Sequence, residues 1–180
     1  MRHILRGLIF CLAIAALFAC ATFDNRPFNS YTVGYSTPED NQIWIDGAEM
    51  DGRWGSPGGG LSCCWEEASR LSSAFDQPMP KQVRVSWLEK ATRMRYRATV
   101  AIDENAGKIA RNLPDYTYIS SGEKSKPYLT LIIGMAPGGA VTIWISNITK
   151  AVNVEGRVIR VIGQAQAVGV YEPPQKSGEK

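Results

Sequence analysis

Tyr128 to Ser146 reads YLTLIIG, MAPGG, AVTIWIS: two β-branched runs on either side of a proline–glycine segment. Proline presets the first angle of a type II turn, and glycine accepts the positive φ that follows. Ala136-Pro-Gly-Gly139 therefore predicts a hairpin with arms Tyr128 to Gly134 and Ala140 to Ser146. The first arm is apolar almost throughout, which places it centrally in a sheet. A second antiparallel pair is predicted over 82–102. Val83, Val85 and Trp87 alternate with Gln82, Arg84 and Ser86, and Met94, Tyr96, Ala98, Val100 and Ile102 alternate with Arg95, Arg97 and Thr99. A period of two is that of a strand with one wet face. Shorter β-rich runs, Tyr31 to Tyr35 and Gln42 to Asp46, are separated by Pro38, Asp40 and Asn41. Residues 157–170 read as a strand by composition, although Val158, Ile159, Val161, Ile162 and Ala165 also suit a helix. Two short helices are predicted: Glu66 to Phe75, with acids at its start, and Asp103 to Leu113, which opens on an Asp and closes before Pro114. Strands without regular βα alternation give a mainly β fold, all-β or α+β, arranged as an antiparallel β-sandwich with one or two short helices.

The 180 residues suit a single domain. Arg2 and Arg6 precede twelve uncharged residues, Leu8 to Ala19, a run too short to span a bilayer and suited to a signal-peptide core. It ends in Leu17-Phe-Ala-Cys20 and resembles a bacterial lipoprotein signal, with Cys20 diacylated and becoming the N-terminus. Phe18 departs from the small or β-branched residue usual at that place. The organisation expected is a signal peptide at 1–19, a lipidated tether at 20–30, one β-rich domain at 31–172 and a disordered tail at 173–180. Ala21, where inner-membrane retention would favour Asp, implies by the same resemblance an outer-membrane protein facing the periplasm. Without residues 1–19 the net charge falls from +3 to +1, so the basic balance belongs to the precursor and no nucleic-acid partner is expected.

The only histidine is His3. A mature chain would lack Ser-His and Cys-His nucleophile pairs and any histidine-ligated zinc; no catalytic residue, metal or cofactor is expected. Trp54-Gly-Ser-Pro-Gly-Gly-Gly-Leu-Ser-Cys-Cys-Trp65 has the glycine spacing of a phosphate-cradling loop, but Leu61 stands where the motif needs lysine. Cys63 and Cys64 admit three readings. They are buried small hydrophobes, the commonest fate of free cysteine, a vicinal disulfide strained by adjacent Cα atoms, or a redox or half-complete metal site. Trp87 and Trp144 lie in strands and are expected in the core, while Trp54 and Trp65 flank the glycine segment as candidate partner-binding anchors. Arg93, Arg95 and Arg97 form a basic stripe, read as a wet strand face or a contact for an acidic partner. Asp46, Glu49, Asp51, Glu66, Glu67 and Asp76 could supply a glycosidase pair, with solvated loop charge the preferred reading. Asn147-Ile-Thr149 fits a glycosylation sequon, read as idle.

The Cys20 signal, the glycine run into Cys63-Cys64, Pro78-Met-Pro80, Val83-x-Val85-x-Trp87 and Gly134 to Trp144 together resemble small bacterial lipoproteins. The genes of these often sit beside type VI secretion effectors, especially lipases. The resemblance spans residues 31–165 and rests on structural motifs. It implies an immunity protein, lipid-anchored through Cys20, that binds a secreted phospholipase effector and blocks it. An envelope structural or assembly lipoprotein without enzymatic activity is the alternative, and a carboxylate hydrolase of wall glycan the third.

Overall fold

The computed structural model describes residues 24–174; the signal peptide expected at 1–19, Cys20 and the rest of the tether to residue 23, and the tail from 175 lie outside the described residues. Two five-stranded sheets face each other, and a third, smaller sheet lies beside them. The strands are β1 (Phe28–Ser36), β2 (Ile43–Met50), β3 (Trp54–Leu61), β4 (Ser69–Gln77), β5 (Gln82–Glu89) and β6 (Met94–Ala101). After helix α1 (Ala106–Arg111) come β7 (Tyr116–Tyr118), β8 (Lys124–Ser125), β9 (Thr130–Met135), β10 (Ala140–Ser146), β11 (Val154–Glu155), β12 (Ile159–Gln166) and β13 (Val170–Tyr171). The first large sheet has the order β12-β10-β9-β1-β4, the second β13-β6-β5-β2-β3 and the small one β11-β7-β8.

All pairings are antiparallel except β1 with β9, which run parallel across the middle of the first sheet. Parallel neighbours need a crossover. Here the chain visits the second sheet twice between them, which ties the two layers together. Val33 and Tyr35 of β1, Ile43 and Ile45 of β2, Val83, Val85 and Trp87 of β5, Val100 of β6, and Leu131, Ile133 and Ile143 of the first sheet fill the space between the layers. Each inward set follows a period of two, so burying one face orients every strand.

The Tyr128–Ser146 hairpin forms as expected. Gly138 takes φ 77° and ψ 7°, the third-position geometry of a type II turn, and the Gly139 N–H donates to Ala136 O at 3.3 Å. The β5–β6 pair spans 82–101, and residues 159–166 are strand. The domain begins before residue 31, because β1 starts at Phe28 and Asp24 is already fixed. Arg111 of α1 donates from Nε to Asp24 Oδ2 (2.9 Å) and from Nη2 to Arg26 O (2.6 Å), with its guanidinium 4.1 Å above the Phe28 ring. These bonds from Arg26 and Arg111 hold the Asp24 carboxyl well below the usual carboxylate range.

Three expectations are corrected. Glu66 to Phe75 is not a helix; from Ser69 it is β4, the edge of the first sheet, paired with β1 from Ser69↔Tyr35 to Gln77↔Phe28. Ala68, Leu71 and Ala74 carry a helix-like spacing, but pairing with β1 overrides local preference. Only Ala74 turns into the core, while Leu71 and Phe75 remain exposed. The glycine segment is not a loop but β3, hydrogen-bonded to β2. At Gly58 a side chain would meet the Ile45 carbonyl oxygen at 2.0 Å, so glycine permits the close strand approach. Pro57 is tolerated because β3 is an edge strand. Finally, α1 is shorter than 103–113 and is not capped by Asp103, whose carboxylate instead accepts the Asn105 N–H at 2.7 Å.

Candidate functional site

The outer faces of the two large sheets carry the features that sequence reading singled out. On the first sheet, Trp144 and Ile132 turn away from the central core and form a separate buried cluster with Ala68. Residues 62–68, between β3 and β4, fold over them. Trp65 stands edge-on to Trp144, with ring centroids 5.0 Å apart and planes at 88°. Beneath both lies Gly134, where an added Cβ would fall 2.3 Å from the Trp144 ring and 3.1 Å from that of Trp65. Trp87 and Trp144 are both buried, but in different clusters. Trp65 keeps 37% of its surface exposed. Trp54 is half-buried against the core, its ring 5.9 Å from Tyr31 at 72°.

Cys63 and Cys64 form a vicinal disulfide and are only partly buried. The structure thus selects the second of the three readings over two buried thiols. Cys64 and Glu66 both hold positive φ, 79° and 66°. Backbone and side-chain bonds pin this roof: Ser36 Oγ donates to Cys64 O (2.7 Å), the Thr37 N–H to Cys63 O (3.3 Å) and the Cys64 N–H to Glu39 Oε1 (3.3 Å). Farther along, the Ala68 N–H donates to Thr149 O (2.8 Å), and Arg157 donates through Nη2 to Glu66 O.

The outer face of the second sheet is charged and open. Asp46 of β2 accepts from Ser86 Oγ of β5 at 2.6 Å and from Arg95 Nη1 of β6. Arg95 also donates through Nε to Glu172, and Arg93 Nε to the Glu172 carbonyl at 3.1 Å, so three strands and the segment after β13 are laced together. The Arg95 bond draws the Glu172 carboxyl below its ordinary range, while the two carboxylates raise the Arg95 guanidinium. Arg97, on the same face, has no hydrogen-bond or ion-pair partner among the described residues. It borders two hollows. One of about 560 Å³ is lined by Asp46, Glu49, Arg84 and Ser86, and one of about 340 Å³ by Val168, Val170 and Tyr171. Those three apolar residues are 86%, 70% and 59% exposed.

The basic stripe is therefore two different things: Arg93 and Arg95 are structural, and Arg97 has no partner among the described residues. The sequence signals the stripe, but the split depends on Glu172, more than seventy residues away. Of the acids weighed as a hydrolase pair, Asp46 and Glu49 border one hollow from β2, each engaged with an arginine, and the others lie elsewhere. Asp46 serves Ser86 and Arg95, Glu49 pairs with Arg84 at 3.3 Å, Asp51 caps the N–H groups of Lys81 and Gln82 at 2.9 Å each, and Glu67 accepts the Ala151 N–H at 2.9 Å. No group of three or more candidate metal-ligating side chains occurs among the described residues. The sequon asparagine is unavailable for modification: Asn147 is buried, its amide donating to Pro114 O and Gly156 O and accepting from the Val158 N–H.

No described helix is long and apolar enough to cross a membrane. Residues 21–177 match the family described as Protein of unknown function (DUF2931), and the chain belongs to that family. No curated protein and no solved structure matches it.

Proposed function

We propose that this member of the DUF2931 family is an envelope lipoprotein, anchored through acyl chains on Cys20 to the outer membrane on its periplasmic side, that works by binding a protein rather than by catalysis. The partner is a lipase-type effector of type VI secretion, which the protein neutralises. The observation that carries the binding reading is Arg97, a guanidinium without a partner among the described residues, set between two open hollows on a sheet face laced by ion pairs. An unpaired charge beside exposed apolar side chains fits a partner surface that brings a carboxylate and an apolar group together.

Two or three acyl chains anchor a protein firmly where one holds it only reversibly. Asp24, four residues beyond Cys20, is pinned to α1, so the domain would stay close to the bilayer. Tethering an inhibitor where a phospholipase attacks raises its effective concentration there. A stable complex needs about 800 Å² from each partner.

Co-expression with the lipase-type effector proposed as its partner tests the reading: cells survive the otherwise toxic enzyme, and the two proteins co-purify. Continued killing beside well-expressed inhibitor sinks the immunity role and leaves an envelope structural or assembly lipoprotein. Cys20→Ser moves the protein from the membrane to the soluble fraction; unchanged fractionation refutes the lipid anchor.

A further inference from the structure

We propose that Cys63–Cys64 is a thiol–disulfide exchange site, opened by a dithiol, whose state decides whether Trp65 stays seated on Trp144. The inference stands independently of the lipid anchor and the effector, since it rests on the roof over the first sheet alone.

The pair lies outside every strand, in the partly exposed segment between β3 and β4. Its sulfurs are thus reachable without breaking a sheet ladder. The link between neighbouring residues closes a small ring that includes the peptide bond joining them. Within that ring Cys64 is held at φ 79°, a region that residues with a Cβ rarely adopt. From this conformation the Cys64 carbonyl accepts both Ser36 Oγ at 2.7 Å and the Glu67 N–H at 2.9 Å, and the chain then delivers Trp65 onto Trp144. Opening the ring removes the covalent restraint and lets Cys64 return to a common backbone conformation. Both carbonyl contacts then loosen, and Trp65 leaves the Trp144–Gly134 surface. The buried faces of Trp144 and Ile132 are uncovered, while the central core, built from the opposite sides of these strands, is untouched.

The chemistry balances as ordinary exchange. A thiolate of the dithiol attacks one cysteine sulfur, the bond between the two cysteine sulfurs breaks, and a mixed disulfide forms. The second thiol of the reductant then displaces the attached cysteine and leaves as its own disulfide. Two electrons and two protons pass to Cys63 and Cys64, which end as thiols.

The test titrates the purified full-length protein with dithiothreitol under native conditions. Differential alkylation read by mass spectrometry on the peptide that carries Cys63 and Cys64 reports their state, and tryptophan emission and far-ultraviolet circular dichroism are followed together. Cys63 and Cys64 are expected to become alkylatable while the β-sheet signal is retained, with a red shift of the emission to which Trp65 and the uncovered Trp144 both contribute, so that Trp65→Phe diminishes it. The double variant Cys63→Ser with Cys64→Ser should show the reduced-state emission without any dithiol. Alkylation only after the sheet signal is lost, identical emission in the two states, or a shift left at full size in Trp65→Phe would each overturn the proposal. Should the double variant not fold, the wild-type titration decides alone.

Discussion

The outer face of the β12-β10-β9-β1-β4 sheet is roofed by the chain's own residues 62–68, whereas the outer face of the β13-β6-β5-β2-β3 sheet lies uncovered beneath a lattice of ion pairs. Both faces carry a tryptophan. Trp144 on the first is 4% exposed, and Trp44 on the second is 50% exposed. The first face resembles a small second core, held by aromatic packing that excludes water. The second is held by charge–charge contacts that water reaches and screens. Substitutions should therefore be costly on the roofed face and cheap on the open one, and the open face is the one with chemistry to spare for a partner.

That contrast can be broken from either side. Trp144→Ala removes a buried aromatic and should cost about 3–5 kcal/mol by denaturant unfolding, whereas Trp44→Ala should stay within about 1 kcal/mol; equal costs would end the distinction. Gly134→Ala forces a Cβ against the Trp144 ring, 2.3 Å from its nearest carbon. Overpacking of this kind should lower stability by about 1–3 kcal/mol and change the near-ultraviolet tryptophan signal. On the open face, Asp46→Asn loosens a pair whose side chains are 41% and 25% exposed. Solvent screening limits the effect to about 0.2–1 kcal/mol, and it should shrink as salt is added.

Glu172 sharpens the same comparison through pH. Its folded carboxyl titrates below its ordinary value because Arg95 binds the charged form. A depressed folded pKa means that the stabilisation is present above the unfolded glutamate pKa of about 4.3 and is lost as pH falls through the folded value. The exchange protection factor of the Glu172 N–H, which donates to Arg93 O at 2.8 Å, should fall over that acidic range once the intrinsic pH dependence of exchange is divided out, and Glu172→Gln should abolish the dependence. The smallest effect on stability is expected at Arg97. Without a partner among the described residues, Arg97→Glu should leave the unfolding midpoint nearly unchanged, within about 0.5 kcal/mol, yet weaken co-purification with the lipase-type effector proposed as partner. A large loss of stability would show that Arg97 belongs to the fold and not to the binding surface.

The two hairpins were legible because each is a local statement. Strict alternation in Gln82 to Trp87 and in Met94 to Ile102 fixes which side faces the core, and Ala136-Pro-Gly-Gly139 fixes the reversal. The β3 strand was hidden because glycine carries no β signal of its own; its place depends on a close approach to β2. The β4 strand was hidden because its spacing satisfies a helix equally well until β1 offers a pairing edge. On the open face the arginine stripe could be read, but not which member lacks a partner among the described residues. Glu172 closes the 31–172 domain expected from sequence, and only folding brings it to Arg95.

By itself the sequence determined a β-rich domain, its two principal hairpins and the inward set of the 82–102 pair, because a period of two and a proline–glycine turn act over a few residues. Tertiary structure alone decided that β1 and β9 lie parallel, that residues 62–68 roof one sheet face, and that Arg95 is paired while Arg97 has no partner among the described residues. Each of these depends on contacts between residues distant in the chain. Their partners are set by how two sheets close over one core, which no local pattern encodes.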